Sequence, residues 1–197
     1  LNGSSEKAFL GMAEGVETAA ELVSDAGANL LLFHCTAVST YSESLEKSII
    51  ARMALATGKP VTATSEAIVA ALHALSAKRV VMISPYLQKV NESEAKFLRA
   101  RGFDIIGLAG LDCENAAAMM SITPDQWIAF AKAHRDDKAD AYLMSCTTTR
   151  AADVAEDLER ELGRPVLTSN TAAAWHCLRK LGINDKVPGF GKLLGEH

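Results

Sequence analysis

The feature that most limits what this chain can fold into is an internal repeat. The first copy reads LLLFHCTAVS, then a helical stretch, then GKPVTATSEAIVAALHAL. The second reads AYLMSCTTTR, a helical stretch, then GRPVLTSNTAAAWHCL. Each copy has an apolar strand running into Cys-Thr, a helix, Gly-basic-Pro-Val, a Thr-Ser pair, and a small-residue helix bearing His-x-Leu. Five features in the same order are hard to obtain by chance. They predict two similar lobes related by a pseudo-twofold axis, each presenting one Cys-Thr at the C-terminal end of a strand.

The pattern between and around the copies alternates strand and helix. Apolar or β-branched runs at residues 29–34, 60–64, 79–84, 104–108, 141–145 and 165–167 predict strands. The segments 6–26, 42–56, 66–75, 90–101, 123–134, 151–162 and 171–181 predict helices, several stopped by Gly and the first capped by Ser4 or Ser5. The regular β-α order, with strands too short for alternation to show, predicts parallel sheet covered by helices. The expected fold class is therefore α/β, with two pseudosymmetric Rossmann-like lobes, parallel sheets and an active site at the interlobe cleft. The first lobe is expected to hold residues 1–78 together with 165–197, and the second residues 79–164.

Composition narrows the function. The 197-residue chain carries a formal charge of −4 with its basic residues scattered, which argues against nucleic acid or an anionic membrane as partner. No apolar run approaches the roughly 20 residues needed to span a bilayer. The four cysteines, Cys35, Cys113, Cys146 and Cys177, form no C-x-x-C pair and are too few for a disulfide scaffold, so a reducing cytoplasm is expected. No metal site and no cofactor is expected. No strand is followed by a G-x-G-x-x-G or Walker-type loop. For assembly, a homodimer is the commonest soluble arrangement.

In open α/β sheets ligands sit beyond the carboxyl ends of strands, at helix N-termini. Both Cys-Thr pairs fall there. A thiol so placed is expected to have its pKa lowered from roughly 8.5 toward neutral. The hydroxyls and amides that follow, at Thr36 and Ser39 and at Thr147, Thr148 and Thr149, can donate to a carboxylate. Two facing thiols suit two-base proton transfer next to a carboxylate, or covalent attack by one thiolate with proton donation by the other. A single cysteine at a strand end is more often a buried hydrophobe, and the symmetry of the two pairs is what favours chemistry at Cys35 and Cys146. Cys113 and Cys177 have no repeat partner and read as structural. His73 and His176 read as packed or hydrogen-bonded, and His34 should point to the opposite face of the strand from Cys35.

Taken together, FHCTAVS, ISPYLQKVNESEAKFLRARGFDIIGLAGLDCEN, SCTTTR and GRPVLTSNTAAAWHCLRKLG resemble the aspartate/glutamate racemase superfamily, in its maleate cis-trans isomerase and arylmalonate decarboxylase branch. The resemblance covers nearly the whole chain. It implies Tyr86 as a donor to a substrate carboxylate and Asn115 as a second polar ligand. On residue type alone, Tyr86 is a turn residue after Pro85, while Asn91 and Asn115 are candidate helix caps. His-Cys-Thr and Ser-Cys-Thr stand where amino-acid racemases of the superfamily carry Cys-Asn-Thr and Gly-Cys-Thr, which points away from an amino acid. Decarboxylases of the branch keep only the second cysteine; both are present here. The family also opens on a strand with a Pro-Ser-x-Asn-like motif, and the chain starts at Leu1 without it, so an upstream segment is expected. The implied activity is cofactor-independent cis-trans isomerisation of a small unsaturated dicarboxylate. Catalysis would fall to Cys35 and Cys146, and substrate binding to Thr36, Tyr86, Asn115 and Thr147. The alternatives are two-base racemisation of a small carboxylic or amino acid, an arylmalonate-type decarboxylation, and non-catalytic binding of a small acid.

Overall fold

A computed structural model of the protein describes residues 11–197. The expected caps at Ser4 and Ser5 and the start of the first helix lie outside the described residues. Within them that helix is interrupted. Gly15 takes a left-handed backbone, φ 71°, which only glycine adopts without strain, and α1 (Val16–Asp25) begins after it.

The six strands match the expected ones closely, and all their pairings are parallel. Strands β1 (Leu31–Phe33) and β2 (Val61–Ala63) form a two-stranded sheet in the register Leu31↔Val61. Strands β3 (Arg79–Ser84), β4 (Asp104–Gly110), β5 (Ala141–Met144) and β6 (Val166–Thr168) form a four-stranded sheet in the order β4-β3-β5-β6. The fold is therefore α/β with parallel sheets in two groups. The uniform apolarity of β3 has a simple cause. Val80 and Met82 point into one core cluster, Val81 and Ile83 into another, so both faces are covered.

Strand β6 departs from the sequence expectation. Residues 165–197 were assigned to the first lobe, yet Val166 pairs with Tyr142 and Thr168 with Met144 of β5. The repeat supplies the reason: β6 is the counterpart of β2, and each pairs in parallel with the strand that runs into a cysteine.

The helices connect these strands. After β1 come the single turn α2 (Thr36–Ser39) and α3 (Glu43–Thr57), and after β2 comes α4 (Thr64–Ala74). Helix α5 (Gln88–Ala100) links β3 to β4. Between β4 and β5 lie α6 (Ala116–Met120), which the sequence reading did not anticipate, and α7 (Pro124–Ala133). Thr123 and Gln126 form a capping box at the start of α7, with Pro124 at its first position. A 3₁₀ turn, Ala151–Val154, leads into α8 (Ala155–Leu162), and α9 (Ser169–Lys180) and α10 (Lys192–Glu196) close the chain. The small-residue helices of the two repeat copies, α4 and α9, pack on each other. Ala67 and Ala71 share a cluster with Ala172 and Trp175, and alanines at such positions let helix backbones approach. Among the described residues no helix is long and apolar enough to cross a membrane.

Candidate active site

Both cysteines stand where the repeat puts them, each on the turn that leaves a parallel strand. Cys35 caps α2 in extended conformation. The backbone N–H groups of Ala37 and Val38 point at its sulfur. Cys146 follows β5 with φ 130°, a region where a side chain costs roughly 1–3 kcal/mol. The amide of Thr148 donates to its Sγ at 3.4 Å. Cys35 is 9% and Cys146 3% exposed, and both belong to one buried cluster with Val38, Tyr86, Val90 and Met119.

One hydroxyl joins the two turns. Ser169 Oγ, at the start of α9, accepts the Thr36 hydroxyl at 2.9 Å and the Cys146 amide at 3.1 Å. The residue after the first cysteine and the backbone of the second thus meet on a single buried oxygen. Replacing Ser169 by Ala leaves that amide and the Thr36 hydroxyl without an acceptor. The expected result is a stability loss of about 1–3 kcal/mol in urea unfolding, with turnover falling more than substrate affinity. Unchanged turnover in a folded Ser169→Ala protein would show that the bridge does not matter to the chemistry.

A second link runs on the outer side. Asn170 gives its amide N–H groups to the carbonyls of Thr147, at 3.4 Å, and Thr149, at 3.3 Å. Its Oδ1 therefore faces His34 Nε2, 3.0 Å away, as the acceptor, which assigns the proton to that nitrogen. His34 Nδ1 lies 3.1 Å from the Thr64 hydroxyl. Burial lowers the His34 pKa. With both nitrogens engaged and the neutral form favoured, His34 ties the two turns together.

Tyr86 reaches the cluster because the turn after β3 is locked. The Ser84 hydroxyl donates to Asn91 Oδ1 and accepts the Tyr86 amide at 2.9 Å. Asn91 Nδ2 donates to the Tyr86 carbonyl at 3.2 Å. Asn91, expected as a helix cap, is instead this buried clamp inside α5. Gly110, the last residue of β4, passes beneath it, and a Cβ there would run into the Tyr86 carbonyl oxygen and the Asn91 amide nitrogen. Gly110→Ala should lower stability by about 2–4 kcal/mol. A shift below about 0.5 kcal/mol in a urea melt would show that the turn yields easily.

The electrostatics differ from the sequence expectation. Burial pushes both thiols up from the ordinary cysteine value, and this outweighs the backbone N–H groups at Cys35 and the Tyr86 hydroxyl and Thr148 amide at Cys146. The thiols were expected below that value; desolvation, which a sequence does not display, reverses the sign. Tyr86 is raised well above its usual range by burial, then by Cys146 and Glu94, and remains a neutral donor in the same buried cluster as the Cys146 sulfur.

Of the other expected binding residues, Thr36 is fully buried, next to Cys35 at the start of α2. Thr147 sits on the Cys146 turn, its carbonyl held by Asn170. Asn115 is exposed and caps α6, its Oδ1 accepting the Ala118 amide at 3.0 Å, which is the helix-cap alternative. Among the described residues no group of three or more His, Cys, Asp or Glu gathers to hold a metal ion. Ser169 and Glu94 were missed. The Thr-Ser pair of each repeat copy was the available signal for Ser169. For Glu94 the signal is a carboxylate on the same helical face as Val90 and Phe97, all buried.

A profile of the arylmalonate decarboxylase family matches residues 1–194. The chain belongs to that family. It is 32% identical to a maleate isomerase of Nocardia farcinica over 87% of this chain and 71% of that protein. It is 29% identical to an arylmalonate decarboxylase of Bordetella bronchiseptica over 100% of this chain and 83% of that one. Among solved structures, a serine-for-cysteine mutant of the N. farcinica maleate cis-trans isomerase, holding a covalently bound succinylcysteine intermediate, superposes with a TM-score of 0.94. Its identity is 25%, over 100% of this chain and 83% of that one. Like these family members, the protein is an enzyme, of an isomerase- or racemase-like kind.

Proposed function

We propose that this family member is a cofactor-independent cis-trans isomerase of a small unsaturated dicarboxylate, with maleate to fumarate as the model reaction. The observation that carries the reading is the pair of cysteine turns held on one Ser169 hydroxyl, with Tyr86 packed in the same buried cluster as both thiols. The covalent succinylcysteine in the isomerase relative supports addition of a thiolate to the double bond. The presence of both cysteines favours isomerisation over decarboxylation.

In the proposed cycle the Cys35 thiolate adds to one alkene carbon, and the electron pair of the double bond takes the proton of Cys146 at the other. The thioether so formed rotates about what is now a single bond. Cys146 then recovers a proton from that carbon, the alkene re-forms in the trans arrangement, and the carbon–sulfur bond breaks to return the Cys35 thiolate. Atoms and charge balance with no outside reactant. Thr36, Thr147 and Tyr86 hold the carboxylates by neutral donors.

The test is proton NMR in heavy water on a panel of maleate, arylmalonates and small α-substituted acids. Maleate should pass to fumarate. Loss of CO₂ from an arylmalonate, or α-proton exchange without maleate turnover, would replace this reading with decarboxylation or two-base racemisation.

A further inference from the structure

The proposed reaction leaves one buried charge without a task. Glu94 projects from α5 and is fully buried. Its Oε2 accepts the Ser145 hydroxyl at 2.8 Å, while Oε1 is buried with no hydrogen-bond partner. A carboxyl so placed is rare, because an unpaired buried charge is strongly disfavoured. Ser145 directly precedes Cys146, so the carboxyl stands one residue from the second thiol.

The neighbouring charges do not neutralise it. Just past the end of α5, Arg101 is held by Glu46 of α3 at 2.6 Å and stacks over Phe97, and on α5 itself Arg99 donates to the Ile105 carbonyl at 3.2 Å. Across from α5 the titratable groups that feel Glu94 are Tyr86, on the turn after β3, and Cys146, after β5. Cys35, at the head of α2, has Cys146 as its acidic neighbour, and each thiol disfavours ionisation of the other.

We propose that Glu94, acting through the Ser145 hydroxyl and its own buried carboxylate, is a positioning residue that keeps the proton on Cys146, so that Cys146 serves as the acid and Cys35 as the nucleophile. The assignment rests on the two-cysteine reading above and gives its thiols separate roles. The two cysteines have similar burial; at Cys146 the Tyr86 hydroxyl and Thr148 favour the thiolate, and Glu94 opposes them. Burial pushes the Glu94 carboxyl up to about 7, with the Ser145 bond opposing. As pH rises it ionises ahead of the thiols. From then on Cys146 meets a nearby anion that disfavours its thiolate.

The experiment is site-resolved alkylation by iodoacetamide, read by peptide mass spectrometry between about pH 6 and pH 9. It compares the wild type with Glu94→Gln and Ser145→Ala. In the wild type Cys35 should react faster than Cys146. Glu94→Gln preserves an acceptor for Ser145 and removes the charge. At about pH 8 it should speed Cys146 alkylation roughly three- to tenfold and change Cys35 by less than about twofold. Ser145→Ala removes the bond that favours the ionised carboxyl, so it should also speed Cys146, by less, near neutrality. Cys177, remote from the cluster, reports any general loosening: equal acceleration of Cys177 would mark a structural effect and overturn the proposal. If Glu94→Gln fails to fold, Ser145→Ala decides, and no selective acceleration of Cys146 overturns it. The readout needs no turnover. Failure of the maleate test would leave the alkylation pattern standing, and a flat alkylation pattern in an active isomerase would remove the Glu94 role alone.

Discussion

Cys35→Ser should lower maleate isomerisation by roughly a thousandfold or more, because a serine hydroxyl is far harder to ionise near neutral pH than a thiol. The substitution is nearly isosteric. The Ala37 and Val38 amides remain to receive an oxygen, so folding should be little changed. The pH profile of the unmutated enzyme gives a further check. Burial raises the Cys35 thiol, so in the free enzyme little thiolate is present at neutral pH. The active form grows as pH rises, and kcat/KM should increase from acid through neutral pH until the thiol has titrated. Isomerisation surviving in Cys35→Ser within tenfold of the wild type, or a rate that rises toward acid, would falsify the nucleophile assignment.

The fold was legible because its information is periodic. The uniformly apolar strands at β3 and β5 state that both faces are covered, and the repeat states that two Cys-Thr turns are equivalent. The repeat also contained the pairing of β6 with β5, since β2 pairs with β1. Assigning residues 165–197 to the first lobe overrode it: α9 does pack against α4, but the strand before it does not follow. The site was legible in part. Cys35, Thr36, Tyr86 and Cys146 come together, whereas Asn115 remains at a cap. What the sequence withheld was contact across the chain. Ser169 lies 133 positions from Thr36, and nothing local announces that their hydroxyls meet. Glu94 and Asn91 look like the polar face of an amphipathic helix until the helix is docked, when that face proves to be the buried one. The thiol proton affinities were read with the wrong sign for the same reason. The amide donors are local and visible in sequence, while the burial that outweighs them is a tertiary property.

Cys146→Ser should act at a different point in the cycle, and the contrast separates the mechanisms. With Cys35 intact the thiolate can still add to maleate, and water or the Tyr86 hydroxyl can complete the protonation slowly. Removal of that proton is then the harder step, since serine is a poor base, so the thioether should outlast its formation. Intact-protein mass spectrometry of Cys146→Ser incubated with maleate should show a species heavier by one substrate, and digestion should place the addition on Cys35. Turnover should fall by roughly a hundredfold or more. Trapping the adduct on Cys113 or Cys177 would mean only that a partly exposed thiol outside the site reacts with an activated alkene. Two-base racemisation makes the opposite forecast. No adduct forms on any substrate, and each single mutant still exchanges the α-proton of one enantiomer with solvent through the thiol it retains. The two outcomes share no intermediate, so one incubation of one variant decides whether the paired cysteines work by addition or by proton transfer alone.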